Sequence, residues 1–343
     1  MRRAGWARGH GAAATAAGRV MRASMAAFFG GYHCFSSVAA LLALPFSAAV
    51  LVSEATAPSS GMLRGVAARL RSVFAAAGFP PSAFFALLEA KLSQTVVTFA
   101  ATLPFALTFL LLAKACVAGM LREDDDDGGG AAPGGGRAPR RPRRRLAALP
   151  PFGATARAYP ALVATHLFNA FLMLSANAAV FSLLLLAFGA ADVLGLTSHF
   201  WTLALSAAGA IVYSLAIGVA SVVCNLAVIV AAMERGHAGH AAVLRACVVI
   251  RGRVSTALAL ALPTNLGMAA AEALFQLRVV SRRRSEGRLA PGVAGEAFSI
   301  AYIHALCVVL EIIVSCMFYR SCKKSEADEL RELEPEEKGD LQA

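Results

Sequence analysis

Glycosylation sequons, paired cysteines and metal-binding signatures are all missing from this 343-residue sequence. Asn169, Asn177, Asn225 and Asn265 each lack a hydroxyl residue two positions on, so nothing marks a glycosylated loop. Seven cysteines, an odd number without a CxxC pair, argue against both a disulfide framework and a zinc knuckle. No HExxH motif, nucleophile–base pair or carboxylate-rich motif accompanies the polar residues of the chain's apolar blocks, which leaves no catalytic residue, metal ligand or cofactor site to nominate and makes the chain a non-enzyme on this reading. Charge is scarce, at 15% of residues, and the apolar–polar alternation of barrel strands is absent.

What fills the chain instead is apolar sequence, 58% of all residues, gathered into blocks. A bilayer core needs roughly 20 predominantly apolar residues per helix. Six blocks meet that length: Tyr32–Val52, Gln94–Ala113, Leu162–Phe188, Phe200–Ala232, Ser255–Phe275 and Phe298–Tyr319. Lipid admits only helices or closed barrels, and continuous runs exclude the barrel. The expectation is an all-α polytopic bundle of about six transmembrane helices with interfacial amphipathic helices. The fourth block is too long for an upright span, and its Ala210, Ser214 and Gly218 form a small-residue stripe suited to close packing or to a homo-oligomer.

The net charge of +11 would suggest nucleic acid in a soluble protein, but here the basic residues lie in connections between the blocks, so no nucleic-acid partner is expected. With the N-terminus in the cytoplasm, 23 of the 32 Lys and Arg residues fall on the cytoplasmic side. The positive-inside rule therefore places both termini there, in the plasma membrane or an endomembrane. Residues 278–288, with five arginines, oppose the rule. Cys116 and Cys322 stand at cytoplasmic ends of blocks, where reversible palmitoylation occurs.

Composition divides the chain further. Residues 1–31 read as a disordered basic arm, and the apolar block after it is too long for a signal-peptide core and reads as a retained anchor. Residues 32–121 hold the first two helices with an interfacial segment around Arg64, Arg69 and Arg71. Residues 122–150 carry an acidic run, a glycine run and then Arg137, Arg140, Arg141, Arg143, Arg144 and Arg145, a composition that cannot bury a core and reads as disordered. Residues 151–322 hold helices three to six, and 323–343 an acidic tail.

Polar residues inside a membrane are expensive and therefore informative. His166, Asn169, Met173 and Asn177 recur at helical spacing, so one face of the third span is polar and should point into the bundle; the fourth span adds Ser214, Ser221 and Asn225. Asn265 and Glu272 are seven apart, as are His304 and Glu311. An antiparallel pair of helices would set Asn265 against Glu311 and Glu272 against His304. Such pairs either fix helix register or line a path for protons or polar solutes.

Glu234, His237, His240 and Cys247 resemble a metal site at first sight. Spacings of three spread the first three side chains around a helix, however, and Gly236 and Gly239 interrupt it. The stretch from His240 reads better as an amphipathic helix on the membrane surface, with Arg245, Arg251 and Arg253 as its basic positions. Here the chain resembles a plant-specific family of uncharacterised six-span membrane proteins: a span ending in Glu234, then Gly236, a helix with Ala242 and Arg245, and the turn Arg251, Gly252, Arg253 before the next span. "LLALPFSAAVLV" in the first span and Phe318, Tyr319 and Cys322 at the close of the last fit the same pattern. A related Gly-Ala-basic pattern occurs in bacterial multi-pass membrane domains. The resemblance implies six spans and brings no activity, cofactor or catalytic residue.

The functional expectation is a non-enzymatic integral membrane protein. Its basic segments, Arg140, Arg141, Arg143, Arg144 and Arg145 with Arg245, Arg251 and Arg253, would contact anionic lipid headgroups or partner proteins in membrane organisation or trafficking. The alternative is a small proton-coupled or polar-solute transporter built on Asn265, Glu272, His304, Glu311, His166, Asn169, Asn177 and Asn225.

Overall fold

A computed structural model describes residues 2–56, 60–76, 83–126, 152–195, 198–234, 236–282 and 291–340. The described residues form nine helices: α1 (Arg2–Gly30), α2 (Tyr32–Thr56), α3 (Gly61–Ala76), α4 (83–126), α5 (Phe152–Val193), α6 (His199–Met233), α7 (His240–Ile250), α8 (254–282) and α9 (Pro291–Asp340). Six of them, α2, α4, α5, α6, α8 and α9, are long and apolar enough to cross a membrane, with spans at Tyr32–Thr56, Leu92–Arg122, Ala156–Ala191, Leu203–Met233, Val254–Val280 and Gly292–Ala327. This is a multi-pass helical membrane bundle.

Apolar side chains are as exposed on its outside as a lipid-facing surface requires: Leu186, Phe171, Ile211, Leu262 and Leu266 all point outward or into gaps between helices. The packed core runs along α9, where Ala305, Val309, Ile312, Ile313 and Cys316 are fully buried, and along α6, where Ala227, Ile229 and Val230 are. α9 is the central post, touching α1, α2, α4, α6, α7 and α8. α5 and α6 pack as an antiparallel pair in which Gly209 admits the Leu184 side chain, and α8 and α9 pack as a second pair in which Gly267 faces Cys307.

Three spans contain a π-helical turn, at Ala39–Ala43, Ala106–Leu110 and Gln276–Val280. Two have an adjacent cause. Pro45 follows the first and would clash with the carbonyl of Leu41, and Pro104 precedes the second. The widened turn in α4 turns the Leu107 carbonyl toward α5, where the Tyr159 hydroxyl donates to it at 3.0 Å.

Two expectations change. Residues 2–30 form a helix instead of a disordered arm, and α1 packs on α8 and α9 with Ala17 and Ser24 buried. An Ala-rich stretch has high helix propensity, and Val20, Met21, Ala27 and Phe28 give it an apolar face to dock. The fourth-span stripe of Ala210, Ser214 and Gly218 lines a cavity between the helices. The helix α4 also continues to Asp126, into the segment expected to be disordered; residues 127–151, with Arg140, Arg141, Arg143, Arg144 and Arg145, lie outside the described residues.

Candidate functional site

The spans border a partly open cavity of about 1380 Å³ with mostly apolar walls. All eight intramembrane polar residues singled out in the sequence, His166, Asn169, Asn177, Asn225, Asn265, Glu272, His304 and Glu311, line it. They fall in two tiers, with Glu311 and His304 separated along α9 by seven residues, about 10 Å of helix rise.

The first tier lies toward the α7 end. Its centre is Asn225 of α6, which accepts a hydrogen bond from Lys114 Nζ of α4 at 2.6 Å and donates from Nδ2 to Glu311 Oε1 at 3.0 Å and to Ser315 Oγ at 3.1 Å. The amide orientation is forced, because an ammonium group can only donate and a carboxylate can only accept. Three helices are thereby joined by one side chain. Among the described residues Lys114 and Glu311 make no direct ion pair; Asn225 stands between them. Asn169 of α5 completes the tier, donating from Nδ2 to the Cys224 carbonyl at 2.7 Å. Its Oδ1 is buried without a partner, as is Nε2 of His166 one turn away.

The second tier holds His304, almost wholly buried, with Nδ1 2.9 Å from Ser47 Oγ of α2 and Nε2 3.6 Å from Glu272 Oε1 of α8. Across the cavity, the Tyr213 hydroxyl donates to Asn177 Oδ1 at 2.8 Å.

The antiparallel register inferred for the last two spans thus brings Glu272 to His304. It does not bring Asn265 to Glu311: among the described residues Asn265 lines the cavity without a hydrogen bond, and Glu311 is taken by Asn225. A two-helix register could not see this, because the partner comes from a third helix. Sequence reasoning also missed Lys114. It lay one residue beyond the apolar block and counted as a loop charge, whereas the span extends to Arg122 and leaves Lys114 only 8% exposed. The signal was there in "LLAKACVAGML", a lone lysine flanked by apolar residues on both sides. Ser47 had no signal beyond its place in an apolar block.

At the α7 end the supposed metal residues serve a different purpose. Glu234 accepts a short hydrogen bond from the Tyr319 hydroxyl and lies 3.6 Å from Lys323, 3.7 Å from Arg245 and 3.6 Å from His237. Arg245 grips Glu326 with two bonds, at 2.8 and 3.0 Å, and that carboxylate raises the guanidinium pKa above its ordinary value. Arg253 donates to Ser325 at 3.2 Å. Arg245 and Arg253 are therefore turned toward α9, where Glu326 and Ser325 engage them. Arg251 is exposed. His240 meets the Phe168 ring edge to face, and Cys247 is exposed. The turns on either side of α7 need glycine: Gly236, Gly239 and Gly252 have φ of +96°, +57° and +77°.

The family-model comparison covers this same half of the chain. The model of a family described as a domain of unknown function (DUF8558) matches residues 155–333, more than half of the sequence. The chain belongs to the DUF8558 family. No curated protein and no solved structure matches it. Within the DUF8558 region fall α6 to α8 and almost all of the described site; Lys114 and Ser47 come from the part that precedes it.

Proposed function

We propose that this DUF8558 protein is a non-enzymatic carrier that moves a polar or amphiphilic solute across the membrane through the bundle cavity. The observation that carries the proposal is the Lys114–Asn225–Glu311 network, buried at span depth and bordering that cavity. Charged groups within a bilayer are costly, and a structural need for helix register is met by a neutral pair at lower cost. A cation and a carboxylate held apart by an amide, beside a second tier about 10 Å along α9, suit stepwise passage of a polar group. In this reading the α7 end and both termini face the cytoplasm. Reconstitution into liposomes loaded with a pH dye tests it: a panel of amino acids, organic acids and amines should include a solute whose uptake changes internal pH with wild type and not with Lys114→Met. No uptake of any panel member by well-folded protein would end the carrier reading.

A second reading, contact with anionic lipid or a partner protein at the cytoplasmic surface, is favoured by α7. Leu244 and Val248 of that helix are more than 60% exposed, next to the exposed Arg251. Neutralising Arg140, Arg141, Arg143, Arg144, Arg145 and Arg251 should then lower retention of phosphatidylserine by the purified protein while leaving flux unchanged.

A further inference from the structure

We propose that the first tier binds a zwitterion that bears a primary ammonium group and an apolar chain, an inference that rests on the carrier reading and names its ligand class. The hydrogen-bond inventory of the tier points there. Lys114 has three N–H donors and uses one of them, on Asn225. Among the described residues Glu311 uses Oε1 alone; Oε2 has no hydrogen-bond partner there, and the residue lines the cavity. Asn265 lines the cavity with its amide unengaged, at the level of Glu311 in the α8–α9 register. Asn225 cannot relieve either charge further, since both of its polar atoms are committed.

The open positions are therefore cationic donors on one side and anionic or neutral acceptors on the other. A carboxylate or phosphate fits Lys114, and an ammonium group fits Glu311 Oε2 and the Asn265 carbonyl. Net charge selects between ligand classes. Lys114 and Glu311 sum to zero, and a zwitterion keeps that sum, whereas a lone anion or cation would bury a net charge at span depth. N–H groups matter because the acceptors reward a hydrogen bond, which a quaternary ammonium cannot make. The remainder of the cavity is apolar, with Phe99, Phe171, Leu174 and Leu184 on its walls, and accommodates a hydrocarbon chain. A free amino acid with an apolar side chain and a phosphoethanolamine lipid share this chemistry.

The test is equilibrium binding to the full-length protein in the uncharged detergent dodecyl maltoside, read by calorimetry or thermal shift. Leucine and lysophosphatidylethanolamine are the two zwitterionic probes. N-acetyl-leucine and leucinamide each remove one charge, and lysophosphatidylcholine removes the N–H groups. At least one zwitterion should bind, and the tighter of the two identifies the source. Its single-charge or N–H-free analogues should bind at least tenfold more weakly. Lys114→Met and Glu311→Gln should each weaken the preferred ligand at least tenfold with an unchanged gel-filtration profile; if the lysine variant does not fold, Glu311→Gln and the analogue series decide. Equal binding of the single-charge analogues, or no binding of either zwitterion, overturns the proposal. Because binding needs no transport, flux of another solute class without zwitterion binding removes this ligand class alone. Zwitterion binding without flux removes the carrier reading alone.

Discussion

Replacing Asn225 by Leu deletes the acceptor for Lys114 and the donor to Glu311 and Ser315 in one step while keeping the same number of side-chain heavy atoms and the same branch point. Hydrogen bonds to charged groups contribute roughly 1.5–3 kcal/mol each, and a neutral interhelical bond in a membrane averages about 0.6 kcal/mol. Two of the former and one of the latter give an upper range of about 4–7 kcal/mol. The vacated amide lets Lys114 and Glu311 approach each other and recover part of this, so the expected loss is about 2–4 kcal/mol, or a Tm drop of roughly 5–10 °C for a chain of this size. Thermal unfolding in detergent, followed by gel-filtration fluorescence, reads it. The control is the same substitution in a Lys114→Met/Glu311→Gln background, where no charge remains to be stranded and the loss should shrink below about 1 kcal/mol. A drop under 2 °C in the single variant, or an equal drop in both backgrounds, would refute the reasoning that Asn225 mediates between two buried charges.

Further consequences are open to measurement. Gly252→Ala forces a Cβ onto a residue at φ +77° and should destabilise the α7–α8 turn by about 1 kcal/mol, visible as faster amide exchange in α7 with little change elsewhere. Tyr319→Phe removes a donor to Glu234 and should speed exchange at the α6–α7 turn, whereas Tyr302→Phe, a tyrosine elsewhere on α9, should not. In the folded protein a maleimide should label the exposed Cys247 within minutes and leave the fully buried Cys316 unmodified until denaturant is added. His304→Ala strands Ser47 and Glu272 together and should cost about 1–3 kcal/mol, and His304→Gln, which keeps a donor, should restore part of it; equal loss in both variants would show that the hydrogen bonds contribute little.

The six long apolar helices were legible because lipid imposes a coarse demand, about twenty apolar residues in a row, which composition alone reveals. The third-span polar face was legible for a related reason: three to four residues per turn is a property of one helix, so His166, Asn169, Met173 and Asn177 needed no partner to be placed on one side. Partner choice was a different matter. Glu272 with His304 could be read from matched seven-residue intervals, but Glu311 with Asn225 depends on which third helix lies nearest, and the order of helices around a bundle leaves no periodic trace. Lys114 illustrates a boundary effect. Hydropathy windows end a span at its first charge, so a lysine inside the bundle looks like a loop residue unless the apolar sequence beyond it is weighed. The helical N-terminal segment was missed because five arginines and no acid suggested solvation, while the docking face of α1 is set by surfaces on α8 and α9 that only the fold creates.

The two polar assemblies are joined by the same pair of helices. On α9, Glu311, Ser315, Tyr319 and Lys323 follow one another at intervals of four and so lie along one stripe. Asn225 of α6 meets the first two of these, and Glu234, the residue just past the end of α6, meets the last two. The cavity network and the cluster at the α6–α7 turn are thus the two ends of a single α6–α9 seam, about 12 Å apart by helix rise. Between them α6 is packed against α9, is buried at Val228, Ile229 and Val230, and has no glycine or proline to bend it. A shift of either helix at one end must therefore be registered at the other, because close-packed helices slide or tilt as units and do not deform locally. Loosening Glu234 from Tyr319 and Lys323 should alter the spacing between Asn225 and Glu311, and occupation of the cavity should in turn alter protection at the turn. Amide exchange at residues 236–250, compared with and without a cavity ligand and again in Glu234→Gln, measures that coupling. Ligand-induced protection there in wild type but not in the variant is the expected result, and identical exchange in all four conditions would mean that the two ends of the seam behave independently.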